Sequence, residues 1–456
     1  MTVSGTVWSA DATRWYFATN HEKGQVIAYT VDGQKNVLIS SGVSNQYYLN
    51  WRLSADATLT YLFINNKGGL YRLTSTNAER LAAQSSKAEK LMNPERYWTL
   101  ESESDAYIIL SAWVRMPLAD AVVVNLDTGT YDKLTDNIVG SGLITIRLSA
   151  DGRYVRYLSR NPDQDSKRTK LIERELETGA ERVLYTIEDD ESPNFSVDRY
   201  GEHWLYQHYL GDVVHSTLIT SDGKIEQTEQ VMNMPNRQDQ LVTDDGILSY
   251  SVFCKRDCTL TLQPYSGNST VTLTLPTIGK YDYGISYSHR LDKDSWLVFV
   301  GQSPWLLWRD GSALAFHFSL EKQLQPFDQY ISQDGRFILG VNENETGWRL
   351  WDNRQRKFIL QSKPDEVLIK ARIFYGESNF VVENGMHFIL YRTSDGKVID
   401  LPAAKGHYFE PLIDGRVLYF GTLPDSDSKS PGIYLYNPSD QQFKLLVEDV
   451  RPFPVQ

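Results

Sequence analysis

The feature that most constrains this chain is a tight polar turn that returns at almost even intervals along its whole length. It is seen at Asp32-Gly33, Thr76-Asn77, Asp127-Thr128-Gly129, Glu177-Thr178-Gly179, Asp222-Gly223, Ser266-Gly267, Asp310-Gly311, Asn353, Asp395-Gly396 and Ser439-Asp440. Successive first positions are 44, 51, 50, 45, 44, 44, 43, 42 and 44 residues apart. A unit of this length cannot bury an apolar face alone, so copies of it must stack on one another.

Each unit reads as four short strands, as in "ITIRLSADG", "YVRYLSR", "KLIERELETG" and "ERVLYTIE" between Ile144 and Glu188. Several second strands are apolar at consecutive positions: "WYFATN" from Trp15, "YLFIN" from Tyr61, "WLVFVG" from Trp296, "FILGVN" from Phe337 and "VLYFG" from Val417. A sheet open to water on one side would alternate, so these strands are expected to be dry on both faces. Four-stranded antiparallel blades stacked face to face meet that requirement, and the expected fold is an all-β propeller of about ten repeats. A single ring forming one domain over 1–456 is the first expectation. Two smaller tandem propellers, with a junction between 76 and 177 where the repeats lengthen, are the alternative. The helix-like stretch "NAERLAAQSSKAEKLMN" from Asn77 falls in that region and reads as a loop excursion.

One phrase recurs in worn form: "LSADGRYVRYLSR" at Leu148, "WSADATRWYFATN" at Trp8, "LSADATLTYLFIN" at Leu53 and "ISQDGRFILGVN" at Ile331. It is expected to be the turn from the first to the second strand of a unit, where Gly accepts positive φ and Ser and Asp bond local backbone. Ser149-Ala150-Asp151-Gly152-Arg153-Tyr154 and Ser332-Gln333-Asp334-Gly335-Arg336-Phe337 resemble the S-x-D-G-[RK]-[FYW] signature of TolB-type, WD-like propeller repeats. Ser9 to Asp11 and Ser54 to Asp56 match with Ala in place of Gly, and the other repeats are degenerate. The resemblance implies a propeller that binds proteins or small ligands outside the cytoplasm, in some members as the periplasmic sensor part of a membrane-bound regulator. Ten blades is the count known from the sortilin family, whose sequence is not otherwise matched.

Charge narrows the partners. A net charge of -12 with no run of Lys and Arg disfavours nucleic acid and anionic membrane surfaces. No stretch reaches the length of a membrane span, and "MTVSGTVWSADA" has neither the charged start nor the apolar core of a signal peptide. The chain as given is expected to lack an address of its own, and a periplasmic or extracellular location follows only from the family resemblance.

Catalytic signatures are missing: there is no G-x-S-x-G elbow, H-E-x-x-H, phosphate loop or G-x-G-x-x-G. Two local patterns carry chemistry. In "HWLYQHYLGDVVHSTLIT", from His203 to Thr220, Gly211-Asp212 suits a two-residue hairpin that sets His208 directly opposite His215. Facing imidazoles can hold a transition metal or respond to pH, and a closed metal site would need further ligands. Cys254 and Cys258 flank Lys255-Arg256-Asp257, and a three-residue loop would bring the sulfurs close enough for a disulfide. That bond would imply an oxidising compartment; two free thiols are the alternative. The acidic stretches from Asn161, Glu188 and Pro424 lack the Gly and Glu of a calcium loop and read as solvated loops.

The expected function is therefore a non-catalytic binding or sensor module engaging another protein or a small ligand, with no cofactor apart from a metal at His208 and His215. The alternative is a polysaccharide lyase or hydrolase, which would need His, Arg, Tyr or carboxylate side chains converging from the first strands of several repeats. A purely architectural role in an envelope assembly also fits the composition.

Overall fold

The computed structural model describes residues 2–8, 14–19, 25–30, 34–39, 49–53, 60–64, 69–73, 77–91, 98–104, 106–115, 118–139, 146–160, 168–188, 194–198, 200–211, 213–231, 238–243, 245–251, 257–265, 270–276, 285–292, 294–300, 303–315, 336–341, 348–361, 371–375, 379–384, 387–392, 395–402, 405–411, 415–423, 432–447 and 451–452. The chain divides into two compact units, one of residues 1–230 with 451–456 and one of residues 231–450.

In the first unit, Thr2–Trp8, Arg14–Thr19, Gln25–Thr30 and Lys35–Ile39 form an antiparallel meander. Arg451–Pro452 lies parallel to Thr2–Trp8, with Thr2 opposite Arg451 and Val3 opposite Pro452. Further meanders span 49–80, 98–139, 146–187 and 194–231. The middle two of these are joined into one nine-stranded sheet by the pair Ile138 and Ser159. In the second unit, meanders span 238–276, 285–315, 337–361, 371–401 and 405–447, with three strands described in 337–361 and four in each of the others. Strands pair with their neighbours in chain order and, within each unit, successive sheets stack, which is the architecture of propeller blades.

Stacking explains the apolar second strands. In Ser295–Val300, Ser295, Trp296, Leu297 and Val298 are all buried. Trp296 and Val298 pack with Leu248, Leu260 and Leu262 of the preceding sheet, while Leu297 packs with Ile338 and Trp351 of the following one. In the first unit, Val155 and Tyr157 join Ile109 and Ile138 on one side, and Leu158 joins Trp204 and Ile219 on the other. Consecutive side chains point to opposite faces, so a strand buried at every position has a sheet on each side.

The recurring turn has a definite geometry at Ser149 to Tyr154, between the paired strands Ile146–Leu148 and Tyr154–Arg160. Ser149 Oγ donates to Asp151 Oδ1 and accepts from the Tyr154 amide at 2.9 Å, while the Arg153 amide donates to Asp151 Oδ1 at 3.0 Å. Gly152 takes φ +67°, a region costly for residues with a Cβ. The same turn recurs at 198–203: the Gly201 amide donates to the Asp198 carbonyl, the His203 amide to Asp198 Oδ2 at 3.0 Å, and Gly201 also has φ +67°. Asp198 thus stands where Ser149 stands.

The helix-like stretch from Asn77 divides. Ala78–Arg80 completes a sheet as the partner of Gly69–Leu73, and only Ser86–Leu91 is helical, with Ser85 Oγ accepting from the Ala88 amide at 3.1 Å. The sheet edge and the buried Leu81 outweigh the local helical preference of the Ala-rich segment.

Candidate functional site

The strands His203–Leu210 and Val213–Thr220 form the hairpin expected from their sequence. Leu210 is opposite Val213, Tyr209 opposite Val214 and His208 opposite His215, with Gly211 at φ +59°. Trp204, Tyr206, His208 and Leu210 share one face of their strand, since they alternate. Trp204 and Tyr206 are buried against the preceding sheet, whereas both histidines are half-buried and Leu210 is 55% exposed. Tyr206 Oη lies 3.2 Å from His208 Nδ1. No cluster of three or more His, Cys, Asp or Glu suited to a metal occurs among the described residues.

Cys258 lies on the strand Asp257–Pro264, and Cys254 lies outside the described residues. The ladder leading to them sets Tyr250 opposite Leu260. Of the acidic stretches from Asn161, Glu188 and Pro424, residues 161–167, 189–193 and 424–431 lie outside the described residues.

A charged constellation that the sequence reading missed is assembled in the first unit from the first strands of three successive meanders. Glu101 is on Trp98–Glu103, Arg147 on Ile146–Leu148, and Asp198 directly follows Asn194–Val197. The half-buried Arg147 donates from Nη1 to the Ile146 carbonyl at 2.7 Å, the sole side-chain hydrogen bond of its guanidinium among the described residues. A guanidinium carries five N–H donors, so most of them remain for solvent or a ligand. Burial pulls the Arg147 guanidinium below its ordinary pKa, against the pull of the Glu101 and Asp198 carboxylates. Burial also raises Glu101 above the usual carboxylate range, opposed by the hydrogen bond that the fully buried Ser111 donates at 2.5 Å and by Arg147.

The surrounding contacts hold this arrangement rigid. Asp198 accepts from the amides of Glu202 and His203 and lies 2.8 Å from His203 Nδ1. A Cβ on Gly201 would stand 2.8 Å from the Arg147 Cβ, so the turn rests on the arginine stem. From the other side Arg156 Nη1 donates to the carbonyls of Tyr200 and Gly201 and to Glu202 Oε1. Arg156 Nε donates to Glu173, which Arg182 also engages at 2.6 Å. No motif announces this site, because each member sits in a different repeat and each repeat's own pattern explains only its turn.

No protein-family profile and no curated protein sequence matches the chain. Three solved structures illustrate its similarities. Apo AztD from Citrobacter koseri is 12% identical, over 86% of this chain and 95% of that one, with TM-score 0.36. The β-propeller domain of the Trilobed protease from Pyrococcus furiosus is 13% identical, over 79% and 98%, with TM-score 0.30. An oligogalacturonate lyase in complex with manganese is 10% identical, over 85% and 95%, with TM-score 0.31. Likeness at this level transfers no activity or ligand.

Proposed function

We propose that the chain is a non-catalytic binding module of TolB-type propeller repeats, acting outside the cytoplasm as part of a sensor, regulator or envelope assembly, and that it takes a carboxylate-bearing ligand at Arg147. Closure of its sheets into one ring over 1–456 belongs to the same proposal. The observation that carries it is the half-buried Arg147 guanidinium, positioned by two neighbouring repeats and with most of its donors unspent. Arginine recognises carboxylates through paired, charge-assisted hydrogen bonds.

The test is calorimetric titration of the full chain with uronic acids, dicarboxylates and acidic dipeptides, repeated on Arg147→Met and Arg147→Lys. Binding of one class that falls at least tenfold in Arg147→Met and is only partly kept in Arg147→Lys supports the proposal. Binding unchanged in both variants, or no binding by any class, overturns it. For the location, protein from its native host is alkylated without reductant and weighed. Two added groups would show free thiols at Cys254 and Cys258 and sink the extracytoplasmic reading, whereas none before reduction and two after would support it.

A polysaccharide lyase or hydrolase is the second reading. It is favoured by the convergence of Glu101, Arg147 and Asp198 from successive first strands, with His203 of the adjoining second strand against Asp198, the kind of arrangement such chemistry requires. Against it, Asp198 and His203 occupy the positions of Ser149 and Tyr154 in the recurring turn, so their contact has a structural cause. Turnover of a polyuronate lost in both Arg147→Met and His203→Gln would reverse the ranking.

A further inference from the structure

We propose, resting on the binding reading above, that a carboxylate captured by Arg147 enters together with a proton from solvent, which Glu101 takes on Oε2. The site then holds its ligand more tightly as pH falls and releases it as pH rises.

Glu101 and Arg147 lie on neighbouring first strands, tied together where the Leu148 amide donates to Ser102 Oγ at 3.0 Å. Arg147 is the charged group that faces Glu101, while Glu101 and Asp198 are those that face Arg147. One guanidinium thus stands between two carboxylates, and a ligand anion brings it a third negative charge. Like charges gathered at a half-buried site disfavour the ionisation of one of them.

The two carboxylates differ in their room for the proton. Asp198 accepts from the Glu202 amide on Oδ1 at 2.8 Å and from the His203 amide on Oδ2 at 3.0 Å, with His203 Nδ1 also 2.8 Å from Oδ2. Both of its oxygens are committed to holding the turn at 198–203. Glu101 is bonded on Oε1, by Ser111 Oγ at 2.5 Å, and its Oε2 has no hydrogen bond among the described residues. A proton on Oε2 breaks no contact and leaves the Ser111 bond in place.

Burial already raises Glu101 above the usual carboxylate range, held back by the Ser111 hydrogen bond and by Arg147. A ligand carboxylate draws on the same guanidinium and weakens the second restraint, and its own charge adds to the cost of ionising Glu101. Between the Glu101 pKa of the free chain and its higher value in the complex, Kd therefore rises with pH by up to about tenfold per unit. Outside that window Glu101 has the same protonation in both states and contributes no pH dependence.

The experiment is calorimetric titration of the full chain with glucuronate, tartrate and Ala-Asp, from about pH 5.5, where such carboxyls are already ionised, to about pH 8. Each pH is run in two buffers of different ionisation enthalpy, which counts the protons taken up per ligand. Glu101→Gln, His203→Gln and Arg147→Met are titrated alongside, with circular dichroism as the check on folding. For the probe that binds, the parent should bind about fivefold or more tightly at the lower end and take up protons within the range. Glu101→Gln, a neutral stand-in for the protonated acid, should bind without proton uptake, equally across the range, and more tightly than the parent at the upper end. His203→Gln should keep the uptake. Binding by the parent without proton uptake, or uptake that persists in Glu101→Gln, would overturn the inference and leave Arg147 as the carboxylate site. Binding of none of the probes, or binding that Arg147→Met leaves unchanged, is instead the failure of the binding reading, and the coupling falls with it.

Discussion

Arg156 donates to Glu173 at 2.8 Å with both side chains about 95% withdrawn from solvent, an ion pair buried beneath the turn at 198–203. It joins two sheets, because the same guanidinium also holds the carbonyls of Tyr200 and Gly201. Breaking a buried pair leaves a charge without compensation, whereas replacing both members is far milder.

Arg156→Met is therefore expected to lower stability by about 3 kcal/mol, at the low end for a broken buried pair because Arg182 still engages Glu173. Arg156→Met with Glu173→Leu should recover a good part of that loss. Urea unfolding of the three proteins checks both statements, and a double variant no better than the single one would show that the carbonyl contacts dominate.

Two glycines separate backbone strain from crowding. Gly211 has φ +59° with open space around it, so Gly211→Ala should cost about 1 kcal/mol from the left-handed backbone alone. Gly152 has φ +67°, and a Cβ there would come within 2.7 Å of Ser104 Oγ, which accepts the Tyr107 amide. Gly152→Ala should cost about 2–3 kcal/mol. Adding Ser104→Gly should relieve only the crowding, measured as a partial return of the thermal midpoint relative to Ser104→Gly alone.

Glu101 makes a pH prediction of a definite sign. Its folded-state pKa lies above the ordinary 4.5 because burial disfavours its charge, so ionising it costs stability as pH rises from 4.5 through the folded value. Glu101→Gln keeps an acceptor for Ser111 and removes that cost. The variant should gain on the parent at pH 7 and lose that advantage below pH 4.5, read as the difference in urea midpoint at pH 7 and pH 4.

Asp310 titrates in the opposite sense. Hydrogen bonds from the Ser312 hydroxyl and amide, and then from Arg356, hold its carboxyl down from 3.8 to about 2. Its stabilising contribution is in place above 3.8 and is lost as pH falls through about 2. Carboxyl NMR titration should find Ser312→Ala raising this pKa more than Arg356→Gln does.

Much of this architecture was legible without coordinates. The period announces repeated meanders, and burial at consecutive positions of strands such as Ser295–Val300 is written in their unbroken apolar runs. Gly211 with its flanking strands was enough to set His208 opposite His215, because a two-residue hairpin leaves a ladder one register. The segment from Asn77 was less legible: its composition favours helix, and only pairing with Gly69–Leu73 decides that Ala78–Arg80 is strand.

Local signals thus determined what is local in this protein, namely the turns, the strand order within a repeat and the cross-strand neighbours, all governed by sterics and hydrogen bonding over a few residues. Tertiary structure alone decided the setting of Glu101, Arg147 and Asp198, and the burial of Arg156 against Glu173. Those relationships depend on which faces meet when one repeat stacks on the next, and stacking is driven by burial of apolar surface, which records no particular partner for a charge that it encloses.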